Sequence, residues 1–415
     1  MVKVLIFISI VLLSFSEAPK DKNLIEEIMS AEPRKFKRIL ADREGFEIQV
    51  LYTQIDRDAN NRPSFKSHEF FVDSTKYFYP ASTIKLPLVV LALEKLNALK
   101  IPGVDKYTPV FFDSVYSGQR SVKMDPTSPT GLPSIAHFCR KILMVSDNEA
   151  SNCLYEFLGQ KAANKNLQDK GYDIRILQRL ERAATYDENR HTEPARFVKD
   201  GATLYSQPML INPDSIRPPG LILKGKGFIQ NQRLIRKPFD FTYKNSFPLR
   251  EQQEILKAII FPDEVPSEKR FGITSDDRRF ILQYMSQLPS ETRYPDYRSD
   301  TSLHDAACKF FMFAGERAPI PKNIRIFNKI GGAYGYLVDN AYIVDFENGV
   351  EFMLSAVINV NTDGIYNDDK YEYESVGYPF MRDLGQAVYR YELGRSRKHK
   401  PDLSEFALQY DEPRN

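Results

Sequence analysis

The chain has 415 residues, enough to bury one large core or two smaller ones. Apolar residues make up 42% and charged residues 27%, the balance of a globular protein rather than a fibrous or disordered one. A net charge of +2 gives no electrostatic case for a nucleic-acid partner.

The first residues read as a secretory leader, with Lys3 as the charged end, Val4 to Phe15 as the apolar run and Ser16-Glu17-Ala18 as a small-x-small cleavage site. The apolar run is short for a membrane span, so a membrane is involved only if the leader is retained. The expectation is an exported, periplasmic chain with a leader at 1–18 and one folded domain at 19–415. Residues 24 to 43 have helical character. Phe46 to Tyr52 and His68 to Asp73 alternate as paired strands, with a turn-rich stretch, Asp56 to Ser67, between them. A helix follows from Ser82 to about Leu99. Residues 102 to 134 are rich in Pro, Gly, Asp and Ser and read as loop. Helices return at Ile135 and at Ala150 to Leu158, the second ending near Gly159.

A polar, basic segment leads to Thr192-Glu193-Pro194 and a short helical run. Residues 205 to 272, rich in Pro, aromatic and basic residues, read as an insertion. Its basic clusters could meet an acidic partner or form a solvated charged face. Helical patterns recur at Ser275 to Ser286 and Ser302 to Ala314. Ile326 to Gly332, Tyr342 to Phe346 and Val350 to Val360 read as strands, with Glu347-Asn348-Gly349 as a hairpin turn. Met381 to Leu393 is a closing helix. The three cysteines (Cys139, Cys153, Cys308) are an odd count, which leaves at least one free thiol, and burial as small apolar residues suits them. None of the five histidines pairs at metal-ligand spacing.

Three short motifs carry the chemistry. In Tyr79-Pro80-Ala81-Ser82-Thr83-Ile84-Lys85, Pro80 suits a helix start, and Lys85 lies one turn after Ser82 on the same face. A serine hydroxyl is a weak nucleophile until a base takes its proton. A desolvated lysine near other cations has a depressed pKa and can be that base. The helix N-terminus favours developing oxyanion charge. The second motif, Ser146-Asp147-Asn148, lies on a connection between two helices. It can point a hydroxyl and a carboxamide into a cleft, or it can simply cap a helix. The third, Lys329-Ile330-Gly331, ends a strand. Each motif alone is common.

In this order the three resemble the serine β-lactamase and penicillin-binding protein superfamily, and class A β-lactamases most, over roughly residues 40 to 395. The resemblance implies an α+β fold, an antiparallel sheet flanked by helices with an all-helical subdomain. It also implies roles. Ser82 is the acylated nucleophile, Lys85 its base or part of the proton relay, Ser146 the proton donor to the leaving nitrogen, and Lys329 the cation beside Ser146 that favours a substrate carboxylate; no metal or organic cofactor is called for. Asn148 holds the substrate amide and orients Lys85. Gly331 allows close approach of substrate to the strand, and the backbone N–H groups of Ser82 and Gly332 form the oxyanion hole.

Two departures stand against this pattern. Arg179-Leu180-Glu181-Arg182 and Asp187 to Pro194 resemble the flanks of the loop that carries a deacylating glutamate, but the span between them is short. Glu181 matches a structural aspartate there, so no deacylation base is assigned. Ile330 stands where a hydroxyl residue is usual. The leading expectation is an exported serine hydrolase acting through a Ser82 acyl-enzyme on a β-lactam or related amide or ester. The alternatives are a D,D-peptidase or esterase with poor β-lactam turnover and a non-catalytic relative that binds wall fragments. The expected partner is a small-molecule or peptidoglycan-derived substrate, and the expected state a monomer.

Overall fold

The computed structural model describes residues 23–116, 120–182, 184–214, 218 and 220–411; the leader expected at 1–18 lies outside them. The helical stretch expected at 24 to 43 is split into α1 (Leu24–Ser30), capped by the Asn23 side chain, and α2 (Pro33–Ala41). Pro33 lacks an N–H and therefore begins a helix rather than continuing one. The next two elements, β1 (Gln49–Arg57) and β2 (Pro63–Phe70), are longer than expected. Asp58 Oδ1 accepts from Asn60 N and Arg62 N, both at 2.8 Å, and closes the turn within five residues. The strands therefore run through most of the stretch that reads as a turn.

A 3₁₀ turn (Ala81–Ile84) leads into α3 (Lys85–Leu99), which is apolar almost all round and buried from Leu86 to Leu93. The loop-like stretch at 102–134 contains one short strand, β3 (Val110–Phe112). Beside α3 lie α4 (Ile135–Val145), α5 (Asn148–Leu158) and α6 (Gln160–Asp169), followed by the single-turn α7 (Tyr186–Arg190). The helical run expected after Pro194 is instead a hairpin of β4 (Ala195–Lys199) and β5 (Ala202–Gln207) paired to β3. Ala195 and Phe197 alternate into the core, and Asp200 and Gly201 have φ of 51° and 80°, the tight turn that two-residue hairpins need.

Residues 205–272 hold four short strands and a long helix. The strands are β6 (Leu223–Lys224), β7 (Gly227–Gln230), β8 (Arg233–Ile235) and β9 (Phe239–Asp240). The helix, α8 (Leu249–Ile260), packs on the main sheet. Next come α9 (Ser275–Ser286) and, where a helix is expected at 302–314, mostly irregular chain with one interrupted turn, α10 (Phe310–Phe313). Met312 there has φ 70°, and its backbone N lies 2.5 Å from where a Cβ on Gly385 would stand, so the segment is shaped by the later helix that covers it. The chain closes with β10 (Ile324–Ala333), β11 (Tyr336–Asp345), β12 (Val350–Asn359), β13 (Ile365–Tyr366) and α11 (Tyr378–Gly394).

The main sheet is antiparallel, in the order β10-β11-β12-β1-β2. Two of its three inner strands, β11 and β12, are buried on both faces. Tyr342 and Val344 join the core shared with α3, α4, α5, α8 and α9, whereas Ala341 and Ile343 join the core under α1, α2 and α11. This is the expected antiparallel sheet flanked by helices. β10 is an edge strand, and its outer side lies against the 3₁₀ turn that carries Ser82.

Candidate active site

The turn before α3 is held by Pro80, whose carbonyl accepts from Thr83 N at 3.1 Å and from Thr83 Oγ1 at 2.8 Å. Ala81 has φ 47°, a conformation that costs a non-glycine residue free energy and marks a site fixed by its surroundings. Ser82 therefore stands half-buried one turn before α3, and Lys85, the first residue of the helix, is fully buried.

The junction of α4 and α5 is built from the same few residues. Ser146 ends α4 in the left-handed region (φ 63°), with Ser146 N donating to Ile142 O at 3.0 Å and Asp147 N to Lys141 O at 3.2 Å. Asp147 caps α5, its Oδ1 accepting from Ala150 N at 2.7 Å. Capping thus falls to Asp147 alone and leaves the side chains of Ser146 and Asn148 for the cleft. Lys85 Nζ donates to the Ser146 carbonyl and to Asn148 Oδ1, and lies 3.3 Å from Ser146 Oγ. From the edge strand, Lys329 Nζ donates to Ser146 Oγ at 2.7 Å and to Ile330 O at 2.9 Å. Among the described residues Ser82 Oγ makes no hydrogen bond.

Gly331 brings the strand against the serine turn. A Cβ at this position would stand 2.7 Å from Pro80 O and 2.9 Å from Ser82 N, inside contact distance of two backbone atoms. At Gly332 a Cβ would meet only Leu337 Cδ2, at 3.2 Å. Glycine is thus demanded by close approach at 331.

Burial and charge act together on the two lysines. Desolvation, then the neighbouring Lys329 charge, holds Lys85 well below the usual lysine range, while Asp147 and Glu181 oppose this. Desolvation likewise brings Lys329 down to about 8. The structure thus brings Ser82, Lys85, Ser146, Asn148, Lys329 and Gly331 into one cluster. Ser82, Asn148 and Gly332 line a cavity of about 630 Å³.

Its walls include residues that sequence reasoning did not assign. Glu181 lines the cavity with Ser82 and has φ 50°. Its neighbours are strapped to α5. The Arg179 guanidinium pairs bidentately with Glu156 at 2.7 and 2.9 Å, both side chains fully buried, and donates to Glu188 O and His191 O. Asn152 exchanges two 3.1 Å bonds with the Leu180 backbone. This short strap, and not the longer loop of the resembled pattern, presents the Glu181 carboxylate. The Arg-Leu-Glu-Arg run was its only signal in the sequence. Tyr79, Tyr334, Tyr371 and Tyr373 form an aromatic side of the cavity, and Lys244 Nζ sits 5.0 Å from the Tyr334 ring centre. Among the described residues no group of three or more His, Cys, Asp or Glu is arranged to hold a metal ion.

Residues 33–217, which include Ser82, Lys85, Ser146 and Asn148, match the Beta-lactamase enzyme family. Over residues 33–217 the chain is β-lactamase-like. No match was found among curated proteins. Solved structures similar to this β-lactamase-like chain include a β-lactamase from Sphaerobacter thermophilus (11% identity, 90% of this chain and 98% of that chain, TM-score 0.46). Others are a β-lactamase from Xanthomonas campestris pv. campestris (15%, 88% and 97%, 0.46) and a class A β-lactamase from Clostridium kluyveri (14%, 88% and 98%, 0.46).

Proposed function

We propose that the chain is a serine hydrolase that opens a β-lactam or a related amide or ester through an acyl-enzyme on Ser82. The observation that carries this reading is the state of Lys85, a buried amine with a depressed pKa one turn from the serine. In its neutral form Lys85 gives its two N–H bonds to Ser146 O and Asn148 Oδ1, which leaves its lone pair for the Ser82 proton. Ser82 Oγ then bonds to the substrate carbonyl carbon as its proton passes to Lys85 Nζ. The backbone N–H groups of Ser82 and Gly332 are assigned to the oxyanion. As the carbon–nitrogen bond breaks, Ser146 Oγ gives its proton to the leaving nitrogen and recovers one from the Lys85 or Lys329 ammonium. In the second half, Glu181 is assigned to take a proton from the water as its oxygen bonds to the ester carbon; the carbon–Oγ bond then breaks, that proton passes on to Ser82 Oγ, and the acyl group leaves as a carboxylic acid.

A peptidase or esterase reading on the same residues is favoured by Ile330, which offers no hydroxyl to a substrate carboxylate. The leader supports export and a periplasmic location for either. The test is a ranking of kcat/KM for a penicillin, a stem-peptide amide and an activated ester, with Ser82→Ala as control. The main reading expects the penicillin first and all three lost in Ser82→Ala. The reverse ranking selects the second reading, and turnover that survives Ser82→Ala removes both.

A further inference from the structure

The basic stretch of 205–272 has no part in that chemistry, yet it folds into a defined surface. Residues 221–244 form a flap of two short β-ribbons, β6–β9 and β7–β8. Its inner face is fixed, with Phe239 and Phe241 packed on Tyr334 and Tyr366. It exposes both apolar and cationic groups. Leu221, Leu223 and Leu234 are 79%, 51% and 44% exposed. Lys226, Arg233, Arg236 and Lys237 are exposed and form no ion pair among the described residues.

The flap holds six cations and one carboxylate, Asp240, a charge of +5 within a chain whose total is +2. Asn231 and Gln232, at φ 48° and 62°, make a two-residue turn, so Arg233 and Leu234 stand at a rigid tip. At the flap's root, Leu221 lines a separate cavity of about 470 Å³ whose walls hold Lys76, the hydroxyl residues Ser74 and Ser246, and Arg175, which is already paired with Asp173 of the same wall at 3.7 Å. The acidic run Asp363 to Asp369 brackets β13, which pairs in parallel with β7 of the flap, Asp369 lines the catalytic cavity, and Glu47 pairs with Lys224.

We propose that the flap docks on the surface of an anionic phospholipid bilayer. The three leucines enter the boundary between headgroups and acyl chains, and the exposed cations pair with lipid phosphates. A soluble polyanion would engage the cations and leave the leucines in water, whereas a bilayer satisfies both. Because Lys244 and Tyr334 belong to flap contacts and to the catalytic cavity alike, docking sets the Ser82 cleft beside the membrane surface.

The chain has no tryptophan, so Leu234→Trp in the full chain gives a reporter that reads the flap alone, whatever the leader does. With vesicles of equimolar phosphatidylcholine and phosphatidylglycerol its emission shifts to the blue, and with phosphatidylcholine alone it does not. High salt reverses the shift. Adding Arg233→Gln and Arg236→Gln weakens vesicle affinity about 25-fold, at roughly fivefold per cation, and Leu221→Ser with Leu223→Ser weakens it as well. Melting temperatures check folding, and Leu221→Trp serves if Leu234→Trp does not fold. No shift on the anionic vesicles, an equal shift on neutral ones, or binding to polyphosphate with no effect of the leucine changes overturns the proposal.

Discussion

Gly331→Ala tests how the edge strand sets the geometry of the serine. The added methyl would lie 2.7 Å from Pro80 O, 2.9 Å from Ser82 N and 3.1 Å from Ala81 Cβ. The first two are backbone atoms of a turn already held by the Thr83 bonds to Pro80 O, so no side chain can swing away. Ordinary contact needs about 0.5 Å or more of extra separation. Either β10 or the 80–82 turn must move. Overpacking of this kind costs about 1–3 kcal/mol. Displacing a nucleophile by a fraction of an ångström to 1 Å costs on the order of 10- to 100-fold in rate. Gly332→Ala is the control, since its Cβ meets only the flexible end of Leu337 at 3.2 Å. The assay is the acylation rate of Ser82 by a penicillin or a fluorophosphonate, with denaturant unfolding alongside. Gly331→Ala is expected to lose acylation well beyond its loss of stability, and Gly332→Ala to stay near wild type in stability. A Gly331→Ala protein that acylates at the wild-type rate refutes the reasoning.

Three other changes follow from the same site. Acylation needs Lys329 charged and Lys85 neutral; because burial brings Lys329 down to about 8, the rate should fall as pH rises through about 8. Lys329→Arg, whose cation persists at high pH, moves that limb upward, and a pH–rate profile with no alkaline limb contradicts the assignment. Glu181→Gln removes the carboxylate offered for deacylation but leaves the Ser82 and Lys85 groups, so acyl adduct should accumulate while turnover falls; equal decay of adduct in both proteins rejects that role. Arg179→Met leaves Glu156 buried and uncompensated at a cost of about 3–5 kcal/mol, whereas the Arg179→Met, Glu156→Leu pair should recover much of it in denaturant unfolding.

Much of the site was legible because its residues sit at punctuation marks. Pro80 starts a turn, Ser-Asp-Asn separates two helices, and glycines end the strand of Lys329. Local patterns of this kind survive folding. The fold was legible where period and turn chemistry agreed, as in α9 and in the hairpin through Gly349. It was misread where tertiary contacts decide. Residues 195–199 follow a proline and carry helix-compatible residues, yet Ala195 and Phe197 alternate into a core supplied by distant segments. The 302–314 stretch has helical spacing, but Gly385 of α11 presses directly on the Met312 backbone and irregular chain results. Glu181 was set aside by its position relative to a longer loop. Its place in the cavity depends on the Arg179–Glu156 and Asn152–Leu180 straps, and such long-range partners leave no periodic trace in a sequence.

Every step of the proposed reaction begins with acylation of Ser82. Intact-mass spectrometry after mixing with a penicillin, a cephalosporin and a fluorophosphonate, followed over time beside Ser82→Ala, tests it most directly. A single adduct is expected with at least one probe, located on the peptide containing Ser82 and missing from the Ser82→Ala protein. No adduct with any probe, or an adduct that persists in Ser82→Ala, would contradict it.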